Sequence, residues 1–190
     1  MIEWSAFRGS HEATRWMGGA ATRWLPDDLG LSRYVSKELI TPPVTLAGWM
    51  LIEEAEPTEF FDGLHIMVPW ITNHHNIVVS LARKDGVCVV SRQWGQGNYD
   101  DAKRIEGVTP PEQHRLYTWV IEWPSLAELN VEVWTRGADW SLEAVIPGDA
   151  QGGNLQGTNL PLLPVGHVGI RADRHHVRGA VMAREGVSSA

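Results

Sequence analysis

The stretch LHIMVPWITNHHNIVVSLARKDGVCVVSRQW, residues 64–94, decides the fold class because its apolar side chains recur at every second position. The alternation of residues 64–70 predicts one face with Leu64, Ile66, Val68 and Trp70, and an opposite face with His65, Met67 and Pro69. A period of two is typical of half-buried β-strands. The triplet Lys84-Asp85-Gly86 predicts a hairpin turn between two such strands, since glycine accepts the positive φ that the turn requires.

The same alternation continues downstream, over residues 116–123, 129–134 and 140–146, while helical periodicity is almost absent. Turn signals recur about every 8–12 residues, which is typical of sandwiches and barrels. We expect roughly ten to twelve strands from this spacing. Four tryptophans occupy alternating strand positions and are therefore predicted to lie in the core: Trp119, Trp123, Trp134 and Trp140.

These patterns predict an all-β fold, a two-sheet antiparallel β-sandwich. Two stacked sheets bury both sets of alternating side chains in a core about 10 Å thick. The chain has 190 residues, of which 43% are hydrophobic and 21% charged, and this is ordinary for one globular domain. We expect a single domain over residues 1–190, with a less regular N-terminal segment, residues 1–30, packed on it.

Two groups of residues carry a resemblance to a known superfamily. The paired segments Thr118–Trp123 and Val131–Trp134, and the ending Gly166–Asp173 with Val177–Val181, resemble the closing strands of concanavalin A-like lectin/glucanase jelly rolls. That superfamily includes laminin-G-like and 3-keto-disaccharide hydrolase-like domains. Over residues 44–183 the resemblance implies a jelly roll and chemistry directed at carbohydrate. The catalytic motifs of its endoglucanases and alginate lyases do not occur here, so no catalytic residue is carried over.

Composition and charge argue against several partners. Sixteen basic and 23 acidic residues give a net charge of −7, which disfavours binding to nucleic acid. No apolar run approaches the ~18 residues of a membrane span. The first residues lack a signal-peptide pattern, so we expect a cytoplasmic protein, with a virion-associated or secreted location left open. The single cysteine, Cys88, is predicted to be a buried hydrophobe, and a homo-oligomer is compatible with the sequence.

The leading functional hypothesis is a carbohydrate ligand on the concave sheet face. An indole stacks on the apolar face of a pyranose, while polar neighbours bond its hydroxyls. Both Trp70 and Trp94 end strands beside polar turns, and residues 92–99 mix Arg, Gln, Asn and aromatic side chains. The predicted ligand-binding residues are Trp70, Arg83, Arg92, Gln93, Trp94 and Tyr99.

An enzyme on the same scaffold is the first alternative, and the sequence leaves the choice open. His65 is the candidate acid–base residue, because it lies on the polar face of a central strand. Glu122 and Glu132 come from consecutive strands and could form the carboxylate pair of a glycoside hydrolase, with a polysaccharide lyase as the other enzyme class. The second alternative is a structural or attachment module of a phage or multi-subunit particle.

No metal site is predicted. The adjacent pairs His74-His75 and His175-His176 place their rings on opposite sides of a strand, so neither pair chelates one ion well. We expect no cofactor, apart from a structural Ca²⁺ that the oxygen ligands of residues 98–101 could hold.

Overall fold

Every strand of the structure belongs to one of two stacked sheets. The computed structural model describes residues 2–59, 62–93, 99–125, 128–136, 138–145 and 165–185, with backbone alone for residues 99–102, 138 and 140–145. These residues form fourteen strands in two seven-stranded antiparallel sheets, which confirms the predicted sandwich. None of them forms a helix long and apolar enough to cross a membrane.

The first sheet carries the predicted β-hairpins of residues 64–93 at its centre. In spatial order its strands are β1 (Trp4–Arg8), β4 (Arg33–Ile40), β13 (Gly166–Arg171), β6 (Gly63–Thr72), β7 (His75–Arg83), β8 (Val87–Gln93) and β9 (Tyr99–Glu106). The β7–β8 turn is the predicted one: Gly86 has a φ of 72° and its N–H donates to the Arg83 carbonyl at 2.9 Å.

The second sheet contains the later meander. In spatial order its strands are β12 (Ala138–Val145), β11 (Glu128–Thr135), β10 (Leu116–Ser125), β5 (Val44–Ala55), β14 (His175–Glu185), β3 (Gly19–Leu25) and β2 (Ser10–Trp16). The chain crosses between the sheets several times, so strands that are distant in sequence become neighbours. An example is β14, which lies between β5 and β3.

The N-terminal segment is more regular than predicted. Residues 4–25 supply β1 to the first sheet and the β2–β3 hairpin to the second. The hairpin turns through Met17 and Gly18, both with positive φ (48° and 83°), which is the conformation that a tight two-residue turn requires. A methionine at the first turn position is a weak sequence signal, and this explains why the hairpin was not predicted.

Tryptophans dominate the core between the sheets. Trp24, Trp119 and Trp123 are at most 1% exposed and pack with the aliphatic residues of both sheets. Full burial of one such side chain contributes about 1.5–3 kcal/mol. The predicted core positions of Trp119 and Trp123 are therefore confirmed. The prediction for Trp134 is wrong: it points away from the core and is 40% exposed, and the side chain of Trp140 lies outside the described residues.

The first prediction concerns Gly48, which lies beneath Trp119. A Cβ at this position would come within 2.6 Å of both Trp119 Cζ2 and the Ala180 carbonyl oxygen. Because a backbone carbonyl cannot move aside cheaply, we expect Gly48→Ala to lower the free energy of unfolding by about 1–3 kcal/mol. Urea denaturation measures this value. Gly19→Ala is the matched control, since its Cβ would meet only the Trp16 carbonyl oxygen at 3.5 Å. Equal stability of both variants would contradict the packing described.

The second prediction concerns pH. Burial lowers the pKa of His175 from its usual value of 6.5, an effect that the Arg174 backbone and the charges of Asp62 and Asp173 partly oppose. The folded state thus favours the neutral ring. The contribution of this lowered pKa to the free energy of unfolding is complete above pH 6.5. It declines as the pH falls through and below that value.

Thermal unfolding between pH 7.5 and 5 tests this linkage. We expect the melting temperature of the parent to fall with the pH, and His175→Leu to fall less steeply. His74→Leu, in an exposed turn, should keep the parental slope. The same slope for His175→Leu and the parent would show that this histidine is not the source of the acid sensitivity.

Candidate functional site

The candidate site lies on the outer face of the first sheet, the surface that points away from the second sheet. Residues that pair across antiparallel strands share a face. The pairing therefore assigns to this face three rows: Arg171, His65 and Ser80; Gly169, Met67, Val78 and Ser91; and His167, Trp70, Asn76 and Gln93.

Trp70 is on this outer face because of an irregularity in β6. Met67 pairs with Val78, but the next paired residues are Trp70 and Asn76, so two residues of β6 lie opposite one residue of β7. Such a bulge shifts the alternation by one residue. The predicted grouping of Trp70 with Leu64 is therefore wrong, and Trp70 instead shares a face with His65.

The indole of Trp70 lies beside Gly169 of β13. A Cβ on Gly169 would lie 3.4 Å from Trp70 Cδ1, an ordinary contact distance, and would clash with Met67 Cε at 2.5 Å. The ring centroid of Trp70 is 6.2 Å from that of Phe7 and 6.1 Å from that of His167. Phe7 is 54% exposed, while Trp70 and His167 are partly exposed. We call these three side chains, Phe7, Trp70 and His167, the aromatic shelf.

One polar atom of the shelf is left without a partner. The Nε1–H of Trp70 is buried, and no described residue offers it an acceptor, which is also true of four core tryptophans, Trp4, Trp24, Trp119 and Trp123. An unmade hydrogen bond at a buried donor costs about 1–3 kcal/mol. The indole is thus both an apolar surface and an unused donor.

Asn76 on β7 and Gln93 on β8 continue the row of Trp70 towards the β9 edge of the sheet. The Asn76 Nδ2 group donates to the Thr72 carbonyl at 3.1 Å and to Gln93 Oε1 at 3.3 Å. Asn76 is fully buried and Gln93 is 6% exposed. The buried Oδ1 of Asn76 has no donor among the described residues. Polar side chains therefore extend from the shelf across β7 and β8 on the same face.

The structure does not bring His65, the candidate acid–base residue, together with Arg83 and Arg92, two of the predicted ligand-binding residues. His65 is 4% exposed, and its Nδ1 shares a hydrogen bond of 2.8 Å with Ser80 Oγ. Arg83 closes the β7–β8 turn, where its Nε and Nη2 donate to Asp85 at 3.1 and 2.7 Å. Arg92 pairs with Ile77 and shares its inward direction, so it points away from His65 and Gln93.

The carboxylates of the predicted enzyme lie on the other side of the sandwich. Glu122 and Glu132 point outward from β10 and β11 in the second sheet, and both are exposed. Asn130 Nδ2 donates to Glu122 Oε2 at 3.4 Å. The core of the sandwich separates these carboxylates from His65, the alternative candidate.

Two further predictions fall on the undescribed part of the chain. Trp94 lies outside the described residues, and of Tyr99 only the backbone, at the start of β9, is described. The proposed Ca²⁺ ligands at residues 98–101 fall outside the described side chains for the same reason. Among the side chains that are described, no three of His, Cys, Asp and Glu are placed to hold a metal ion.

A hydrogen bond holds the tip of the β6–β7 hairpin against the sheet. Arg33 Nη1, on β4, donates to Asn73 Oδ1 in the hairpin turn at 2.7 Å. Since β13 separates β4 from β6, this bond spans the strand beside which Trp70 lies. It ties the turn of the hairpin to β4 on the outer face of the sheet.

A cavity of about 220 Å³, which the sequence analysis did not predict, lies at the end of the sandwich. Its lining includes Asp27, Glu54, Arg174 and His176. Asp27 accepts the backbone N–H groups of Leu29 and Leu31 and an ion pair from Arg8, and the Leu31 N–H is the main cause of its lowered pKa. Glu54 pairs with His176 at 3.2 Å. Asp27 thus stabilises its own loop, and Glu54 makes a cross-strand contact between β5 and β14.

The comparisons with known proteins identify the fold. No protein-family model and no curated protein matches the chain. Among solved structures, it is similar to the carbohydrate-binding module CBM66 from Bacillus subtilis (10% identity, TM-score 0.62, covering 97% of each chain). It is also similar to the mannose- and Ca²⁺-bound exoplasmic/lumenal domain of VIP36 (10%, 0.59, 98% of this chain and 85% of that one).

A third similar structure is the legume lectin-like domain from Entamoeba histolytica (10% identity, TM-score 0.56, covering 97% of this chain and 90% of that one). The jelly-roll, concanavalin A-like fold that the sequence predicted is thus confirmed. Identities this low establish the fold alone.

The third prediction concerns the Arg33–Asn73 bond. We expect Asn73→Ala to release the hairpin tip, to accelerate amide hydrogen exchange in residues 70–76, and to lower the free energy of unfolding by about 1 kcal/mol. His74→Ala is the control, because this neighbouring side chain is exposed in the same turn. Exchange that rises equally in both variants would show that the bond does not hold the tip.

Proposed function

We propose that this protein binds carbohydrate, and that the aromatic shelf on the outer face of the first sheet is the binding site. The observation that carries the proposal is the position of Trp70. Its indole is partly exposed, lies beside Gly169 and carries an N–H without an acceptor. A flat apolar ring with a donor at its edge is the combination that a pyranose needs.

The chemistry of the shelf supports a sugar over other small ligands. The C–H face of a pyranose stacks on the exposed part of the indole, and Phe7 widens the apolar surface. A sugar oxygen brought beside the ring by a small rotation of the indole would accept the unused N–H and offset its cost. His167, at the edge of the ring, adds a second polar group for a hydroxyl.

The structural neighbours support the proposal in a general way. One is named for carbohydrate binding, and another contains bound mannose. Many unrelated activities occur on this fold. The binding site is therefore argued from the shelf, and the neighbours support only carbohydrate as the class of ligand.

The two other hypotheses have less support. An enzyme would need a histidine or carboxylates that converge, whereas His65 is bonded to Ser80 inside a covered face, and Glu122 and Glu132 are solvated on the opposite face. No observation favours the attachment module, which stays a prediction.

The fourth prediction tests the shelf by isothermal titration with soluble mono- and oligosaccharides, including mannose, galactose and fructose series. We expect the parent to bind one series, and Trp70→Ala to weaken that binding about tenfold or more, since the loss of a stacked ring and a hydrogen bond exceeds about 1.4 kcal/mol. Phe7→Ala should weaken it less.

Leu29→Ala serves as the matched control, because Leu29 is an exposed apolar residue, 65% accessible, in the β3–β4 loop. It should bind as the parent does. Parental affinity in a folded Trp70→Ala would refute the proposed site. The absence of any saccharide binding at millimolar concentration would refute the proposed function.

A further inference from the structure

The histidine of the aromatic shelf lies where both neighbouring strands are irregular. Between the β4 partners of His167 and Gly169 lie three residues, 36–38, opposite the single residue Val168. On the other side two residues of β6, 68–69, lie opposite Val168. Such bulges re-aim nearby groups and are over-represented next to active sites. The surroundings of His167 therefore differ from those of a residue in a regular ladder.

The bulge of β4 directs a backbone carbonyl at the imidazole ring. The Nδ1–H of His167 donates to the Glu38 carbonyl at 3.2 Å. Ser36 Oγ accepts the Val168 N–H at 2.9 Å and donates its own hydrogen to the same Glu38 carbonyl at 2.7 Å. Because Ser36 is only 2% exposed, the carbonyl that holds the ring is itself fixed from the interior.

The bond to Glu38 decides which ring nitrogen of His167 carries the proton. A carbonyl oxygen only accepts hydrogen bonds, so Nδ1, which faces it, must be the protonated nitrogen. In the neutral ring Nε2 is then an acceptor. The two ring nitrogens point in nearly opposite directions, so Nε2 points away from the β4 backbone. No described side chain donates to it.

Apolar side chains flank this acceptor. Leu39, the pairing partner of His167 on β4, is 62% exposed. On the β6 side, the ring of Trp70 lies 6.1 Å from that of His167, with the planes inclined by 64°. A ligand stacked on Trp70 displaces water from Nε2 as well, and an acceptor that is covered without a donor weakens binding. The ligand must therefore bring a hydrogen-bond donor to this point.

We propose that His167 determines which sugars the shelf accepts, because its Nε2 takes a hydrogen bond from one free hydroxyl beside the stacked face of the pyranose. This inference rests on the proposed carbohydrate function and adds the direction of one hydrogen bond. The ligand class is a sugar whose hydroxyl at that position is unsubstituted. A sugar that is methylated, acylated or fluorinated there has no O–H to donate, and the shelf rejects it.

The protonation of the ring is measurable without any ligand. Nitrogen–proton correlation spectra of the imidazole rings are recorded at about pH 8, where histidine side chains are ordinarily neutral. We expect a protonated Nδ1 and a bare Nε2 for His167. The control is His74, in an exposed turn, which should show both tautomers in exchange. A protonated Nε2 on His167 would overturn the proposal, whether or not a sugar binds.

Titration calorimetry tests the hydroxyl. The probes are methyl glycosides of the mannose, galactose and fructose series, each with its monodeoxyfluoro analogues, since a C–F group cannot donate. We expect the parent to bind one analogue of its preferred sugar about tenfold more weakly than the sugar itself.

Variants of His167 assign that loss to one side chain. His167→Phe keeps a flat ring without nitrogens, so it should bind the sugar about tenfold more weakly and no longer discriminate against that analogue. His167→Gln has an amide oxygen that accepts, and it should recover part of the discrimination. Leu29→Ala, the control, should discriminate as the parent does. Circular dichroism verifies that the variants are folded.

The outcomes separate this proposal from the proposed function. Equal discrimination by His167→Phe and the parent would overturn the role of His167, and so would a parent that binds all analogues equally. In either case a loss of affinity in Trp70→Ala leaves the shelf in place as the sugar site. If no saccharide binds, the proposed function is refuted and this inference with it.

Discussion

The strict alternation of inward and outward side chains along paired strands is the constraint on which the rest of this structure depends. Most of the described strands give alternate residues to one shared core, and Trp119 can fill that core only because Gly48 on the neighbouring strand lacks a side chain. The other residues of these strands point the opposite way and form the two outer faces. Whether a tryptophan stabilises the fold or is free to meet a ligand is thus decided by the parity of its position in the strand.

Parity also explains which parts of the fold the sequence could predict. The hairpin at Asp85-Gly86 and the core positions of Trp119 and Trp123 follow from turn chemistry and period, and they are confirmed. The bulge before Trp70 does not follow, because an extra residue in one strand leaves no mark on hydrophobicity and yet moves all later side chains to the other face. Trp134 was misassigned for a different reason: it shares its parity with Asn130 and Glu132, so the alternation of its own strand already places it on the outer face.

The two outer faces differ in ways that the sequence did not reveal. The centre of the first face is buried, and polar residues bond one another there, as His65 bonds Ser80. Among the described residues, the region near Phe7 and Trp70 is more open. Of the predicted ligand-binding residues, Trp70 lies in this open region. Arg83 instead bonds Asp85 in the β7–β8 turn, and Arg92 points from β8 towards the core. Phe7 and His167 were missed because they come from opposite ends of the chain and meet only through sheet topology.

The most direct measurement of the central claim is the titration of the indole N–H resonances with a soluble saccharide, recorded by nitrogen–proton correlation spectroscopy. The ten tryptophans give ten resolvable probes. The account predicts that the Trp70 resonance shifts progressively to saturation and gains the downfield character of a newly bonded donor, while the resonances of Trp119 and Trp123 stay in place. A saccharide that binds and leaves the Trp70 resonance unmoved would contradict it.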